Sequence, residues 1–181
     1  MKNIRICFVG AHGTGKTTLA FEVHKYLYRE LHEKDVVLIS ESSDGAKKAL
    51  HLEKNDPSYE EALIHYRAKL FYRTPEFISD RSLFDPLGYS IVKTGQLSSE
   101  LLQYALDVHK KLNPLLFYVP IAIPLVGESH RPANEKYQQH VDDSIKAVLT
   151  GAGVQYHTIT RVDLVSRLTY IITVLRRHID E

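Results

Sequence analysis

Two hydrophobic periods divide the chain. Ile4–Val9 is apolar with little alternation, as expected of a parallel strand covered on both faces, and Val36–Ser40, Glu76–Ser79, Leu115–Val119 and Val154–Ile159 are further short apolar or β-branched runs that read as strands. Between them apolar residues recur at helical spacing. Thr17 to about Glu33 carries Leu19, Val23, Tyr26, Leu27 and Leu31 on one side. Further helices are predicted over Ser43–Leu52, Tyr59–Tyr72, Pro86–Thr94, Ser98–Leu112, Gln138–Leu149 and Asp163–His178. Gly10–Gly15 and Pro120–Tyr137 read as loops, the second rich in Pro, Gly and charge. Strands alternating with helices predict an α/β protein with three layers, a five-stranded parallel sheet carrying helices on both faces. No internal repeat, low-complexity run or long linker divides it. Residues 1–181 are therefore expected to form one domain, with a helical insertion at about 44–73 and a lid-like flap at about 120–137.

Composition narrows the function classes. The 181 residues are 44% hydrophobic and 25% charged, ordinary for a globular protein. The net charge of +1 gives no bulk attraction to nucleic acid or to an anionic membrane. The single cysteine, Cys7, sits in an apolar strand and has no internal partner, in keeping with a reducing compartment. Lys2 and Arg5 precede an apolar run that ends at Gly10, too short for a signal or a membrane span. The apolar stretch Leu164–Ile179 is broken by Arg167, Arg176 and Arg177 and reads as an amphipathic helix. A cytoplasmic location is expected. The ten histidines lie without metal-ligand spacing, which argues against zinc.

The strongest chemical signal is Gly10-Ala11-His12-Gly13-Thr14-Gly15-Lys16-Thr17, followed by Thr18. It matches GxxxxGK[ST] and sits between a strand and a helix, the context that gives the motif its meaning. Glycines let backbone N–H groups turn inward around phosphate oxygens, and the following helix adds its unpaired N–H groups and positive dipole end. Gly10 to Thr18 are thus expected to bind ATP with Mg²⁺. Lys16 would reach the β- and γ-phosphates and the Thr17 hydroxyl would ligate the metal.

Three further segments bear on the reaction. Asp80, at the end of the third strand in Phe77-Ile78-Ser79-Asp80-Arg81-Ser82, reads either as a holder of the Mg²⁺ shell or as a helix cap. Arg81 beside it would bind the transferred or accepting phosphate, or is a solvated arginine. Glu41, ending the second strand, would take a proton from a hydroxyl nucleophile, bind a sugar hydroxyl, or lie at the surface. Arg131, in Glu128-Ser129-His130-Arg131-Pro132, either closes over the triphosphate or is a solvated loop charge. The insertion adds Tyr59, His65, Tyr66, Arg67, Tyr72 and Arg73; taken singly each reads as a core-facing ring or a solvated charge, with one or two expected to stack a base or hold a monophosphate.

These segments, in this order, resemble the nucleoside/nucleotide kinase branch of P-loop proteins. The resemblance is nearest to the small AAA-like ATPase/kinase group that includes the ribosylnicotinamide kinase domain. The run Asp80 to Tyr89 is also similar to the Asp-Arg-Tyr segment of thymidylate kinases and the Glu-Arg-Ser segment of deoxynucleoside kinases. The resemblance implies an acid and an arginine beside the transferred phosphate. It also implies that Glu41 takes the place of the base that serves the sugar 5′-hydroxyl. Two departures stand out. Ser42 replaces the proline that usually follows that acid, and the flap has one clear arginine where many nucleotide kinases have several. The acceptor is expected to be a nucleoside or a nucleoside monophosphate, and a homodimer is left open. The competing reading is an ATP-binding or ATP-hydrolysing regulatory switch with a protein partner. An oligomeric AAA+ motor fits less well, since the chain has little room for a helical lid domain.

Overall fold

The computed structural model describes residues 3–40, 43–122 and 134–180. Five strands, β1 (Arg5–Val9), β2 (Val37–Ile39), β3 (Phe77–Ser79), β4 (Leu115–Tyr118) and β5 (His157–Thr158), form one sheet in the order β2-β3-β1-β4-β5. Every pairing is parallel. The helices are α1 (Lys16–Glu30), α2 (Ser43–Leu50), α3 (Tyr59–Arg73), α4 (Asp85–Thr94), α5 (Ser99–Leu112), α6 (Glu135–Gly151) and α7 (Leu164–Asp180).

The pleat sorts the strand side chains between two cores. Ile6 and Phe8 of β1 join Ile78 and Phe117 against Leu19, Val23 and Leu27 of α1 and Ile171 and Leu175 of α7. Cys7 and Val9 join Phe77, Leu116 and Tyr118 against α3, α4, α5 and α6. Burial on both faces of β1 is what the unalternating run Ile4–Val9 foretold, whereas the edge strand β2 keeps Val37 exposed. Burial also pushes the Cys7 thiol far above its ordinary pKa, with help from the nearby Asp85 carboxylate, so it is an inert core group.

Boundaries depart from expectation where capping decides them. The helix expected at Gln138 begins at Glu135, because the side chain of Asn134 accepts a hydrogen bond from Tyr137 N–H at 3.0 Å. Residues 135–137, within the expected flap, therefore belong to α6, with Asn134 as its cap. The fifth strand shrinks to His157–Thr158, because the N–H of Val154 is taken up by the Leu149 carbonyl at 3.0 Å and the chain there still closes α6. At the α4–α6 crossing, Gly88 lets the helices meet: a Cβ there would lie 2.3 Å from Ile145 Cγ1 and 3.1 Å from its backbone nitrogen.

The strand order places β1 at the centre, flanked by β3 and β4. The loop after β1 therefore opens where neighbouring connections diverge to opposite sides of the sheet, the usual ligand crevice of an open α/β sheet. Among the described residues no helix is long and apolar enough to cross a membrane.

Candidate phosphate-transfer site

The chain leaves β1 at Gly10 with φ +146°, and a Cβ there would lie 2.5 Å from the Val119 carbonyl oxygen. Only glycine allows that approach, which presses the loop against the end of β4. Gly13 and Gly15 take φ of 74° and 88°, turning the loop back toward α1. Gly15 caps α1 without a side-chain acceptor. Among the described residues no N-cap side chain therefore satisfies the first-turn N–H groups of α1, the kind of groups that an anion satisfies well.

Lys16 is 4% exposed despite its charge. Its Nζ donates to the Ala11 carbonyl and, at 3.2 Å, to Thr14 Oγ1. Burial pushes its pKa down from 10.5 to about 7, and the Arg81 guanidinium adds to the drop. The ammonium thus lies along its own loop, in surroundings that an added negative charge would suit.

Beside it stands Asp80, 1% exposed, at the end of β3. Its Oδ2 accepts from Thr17 Oγ1 at 2.7 Å and from Ser40 Oγ at 3.2 Å. A hydroxyl and a carboxylate at hydrogen-bond distance are hard oxygen donors that fit Mg²⁺, which takes one or two protein ligands plus phosphate oxygens and water. The helix-cap reading of Asp80 gives way to this contact across the sheet. The described residues include no cluster of three or more His, Cys, Asp or Glu suited to a metal.

Arg81 points back along the next turn, with Nη1 3.7 Å from Asp85 Oδ1. Asp85, within the run Asp80–Tyr89, organises this corner. Its Oδ2 accepts from Ser82 N–H at 2.7 Å and Ser82 Oγ at 2.6 Å, and its Oδ1 accepts from Gly10 N–H at 3.3 Å. One buried carboxylate thereby ties the Asp80–Ser82 segment to the root of the phosphate loop. From below, Arg67 donates to the Ser82 carbonyl at 2.8 Å, so this insertion arginine supports the segment.

Lys16, Thr17, Asp80 and Arg81 thus come together around Gly10–Thr18. Glu41 and Arg131 lie outside the described residues. Three contacts to the loop had no local signal. Tyr89 Oη accepts from His12 N–H at 3.1 Å. Gln138 Nε2 donates to the His12 carbonyl at 2.6 Å, and Arg167 Nη1 to the Thr14 carbonyl at 3.1 Å. Burial raises the Tyr89 hydroxyl to about 12, so it stays a neutral donor and acceptor. The His12 ring lies 6.2 Å from Tyr89 and 5.9 Å from Tyr137, centroid to centroid, which gives the loop an aromatic flank. Of the other insertion residues, Tyr59 is buried, His65 packs on Tyr104 with centroids 4.6 Å apart, and Tyr72 is exposed under Lys111.

The sequence matches a family model described as AAA domain over residues 5–167. The chain belongs to the AAA domain family. No curated protein matches it. This AAA-domain chain has the α/β fold of P-loop nucleotide kinases, as two solved kinase structures show, and a third structure shares it. Thymidylate kinase from Ehrlichia chaffeensis superposes with TM-score 0.71 at 19% identity, over 97% of this chain and 100% of that one. Deoxyadenosine kinase from M. mycoides, with dCMP and dCDP bound, gives TM-score 0.63 at 12% identity over 96% and 100%. The YorR protein of Bacillus subtilis, in complex with phosphorylated GDP, gives 0.59 at 19% identity over 96% and 97%.

Proposed function

We propose that this AAA-domain protein transfers the γ-phosphoryl group of ATP to a nucleoside or nucleoside monophosphate. The observation that carries the reading is the joining of two half-sites. Asp85 binds Gly10 N–H on the phosphate loop and Ser82 on the segment that follows Asp80 and Arg81. A loop that only held a triphosphate would not need an acid–arginine pair fixed to it.

In this reading the N–H groups of Gly13 to Thr18 bind the β- and γ-phosphates, and Lys16 swings from the Ala11 carbonyl onto them. Thr17 and Asp80 hold Mg²⁺, which neutralises charge on the phosphate oxygens. Arg81 orients the group in transfer or the acceptor's own phosphate. Glu41 accepts the hydroxyl proton of a nucleoside; with a monophosphate no base is needed and it binds the sugar. Arg131 closes over the donor from the flap. The aromatic flank of His12, Tyr89 and Tyr137 and the α2–α3 insertion face the acceptor.

The test is ADP formation from Mg·ATP across a panel of nucleosides and monophosphates. At least one acceptor should raise turnover far above the acceptor-free rate. A flat panel, with ATP bound and slowly hydrolysed, would favour the regulatory switch.

A further inference from the structure

We propose that Arg167 and Gln138 are positioning residues of the phosphate site, setting the P-loop peptide planes from behind. The proposal rests on the phosphate-binding half of the reading above. In a trans peptide unit the carbonyl and the following N–H point in opposite directions. Fixing one fixes the other. Gln138, from α6 on one face of the sheet, holds the His12 carbonyl and so turns the Gly13 N–H the other way. Arg167, from α7 on the opposite face, holds the Thr14 carbonyl and so turns the Gly15 N–H the other way. Gly13 and Gly15 are exposed, so the freed N–H groups lie on the open side of the loop.

Both clamps are built into the core. Gln138 is 2% exposed and Arg167 3%. Arg167 also donates from Nε to the Arg161 carbonyl at 2.7 Å, so its fork spans the loop and the connection into α7. Its Nη1 lies 3.5 Å from where a Gly15 Cβ would stand, directly against the loop. Its Nη2 is buried and has no hydrogen-bond partner among the described residues. Packing alone does not account for a guanidinium here, because an apolar side chain of similar volume would fill the space without burying a charge. The loop also has two conformationally free glycines, whose many accessible peptide orientations must be narrowed before phosphate arrives. A two-headed donor does this; a lysine, with one nitrogen, cannot span both carbonyls in the same geometry.

The experiment compares wild type, R167M, R167K and Q138L by calorimetric titration with Mg·ATP and with inorganic tripolyphosphate. R167M should weaken both by about tenfold or more, the worth of a mis-set donor to a charged group. R167K should fall between, and the KM for the acceptor should stay within about twofold in every variant. R167M binding both probes as tightly as wild type would overturn the proposal, even with a lowered melting temperature. If R167M does not fold, amide NMR of wild type and Q138L decides. Tripolyphosphate should shift the Gly13 and Gly15 N–H signals downfield in wild type, and Q138L should lose the Gly13 shift while keeping that of Gly15. Unshifted glycine signals in phosphate-bound wild type would overturn it. Wild type that binds ATP yet phosphorylates no acceptor removes the kinase reading and leaves the clamps standing.

Discussion

Lys16 should load with a proton when the triphosphate binds. Free of ligand, its burial and the nearby Arg81 hold its pKa down at about 7 against an ordinary 10.5. At about 1.36 kcal/mol for each pH unit, that drop is a penalty of about 5 kcal/mol on the charged form. Phosphate oxygens against Nζ favour the charged form and restore the pKa. At pH 8 the free lysine is roughly nine-tenths neutral, so binding takes up about 0.9 proton. At pH 6 it takes up only about 0.1 from this source. Affinity should fall about 50-fold from pH 7 to pH 9, while the phosphate's own second ionisation, near 6, is already complete. The sign for folding is opposite. Because the folded pKa is depressed, the unfolded chain binds more protons between about 7 and 10.5, so this group's contribution to stability rises with pH across that window. Titration calorimetry at pH 8 in buffers of differing ionisation enthalpy reads the proton number directly. K16R, which never deprotonates, should abolish the uptake wherever it still binds. Tight binding at pH 8 with no proton uptake, and affinity flat from pH 7 to 9, would refute the buried, neutralised lysine.

Two substitutions probe the geometry around it and a third probes the α4–α6 crossing. Gly10→Ala sets a Cβ 2.5 Å from the Val119 carbonyl oxygen at φ +146° and should cost about 3 kcal/mol or more, a fall of roughly 6–12 °C in Tm, together with loss of Mg·ATP binding; an unchanged Tm would show that the loop does not press on β4. Gly88→Ala should destabilise by about 1–3 kcal/mol through Ile145, and a double-mutant cycle with Ile145→Ala, which removes the Cγ1 that the new Cβ would meet, should show non-additive losses by chemical denaturation, because the defect lies at the α4–α6 crossing and not at the phosphate site; additive losses would place the defect elsewhere. Asp80→Asn keeps the shape that Thr17 and Ser40 contact but removes the charge. It should leave Tm within a few degrees while cutting the Mg²⁺-dependent part of ATP affinity about 10–100-fold, whereas equal losses with and without Mg²⁺ would take Asp80 away from the metal.

What the sequence disclosed follows from how local each signal is. The phosphate loop is a contiguous string whose glycines and lysine carry their own geometric reasons, so it could be placed with its flanking strand and helix. The parallel sheet was legible because strands buried on both faces cannot alternate. The start of α6 was not, since Asn134 acts as a cap only when the chain has already turned there. The order β2-β3-β1-β4-β5 was also invisible, because hydrophobic runs show that strands exist and not which neighbours they choose. Asp85, Gln138 and Arg167 meet the loop across 75, 126 and 153 residues of sequence. In the sequence Gln138 and Arg167 read as ordinary polar residues on helices, and Asp85 stands just before one, inside the run Asp80–Tyr89. Their roles arise from packing that brings three helices against one loop, and no spacing rule in the chain announces them.

The central claim is transfer of a phosphoryl group to a small acceptor, and the fate of a labelled γ-phosphate tests it most directly. ATP labelled at the γ-position should, with Mg²⁺ and a panel of nucleosides and monophosphates, pass its label to one acceptor class, with little released as inorganic phosphate. Label appearing only in inorganic phosphate, at a rate no acceptor changes, would contradict the account.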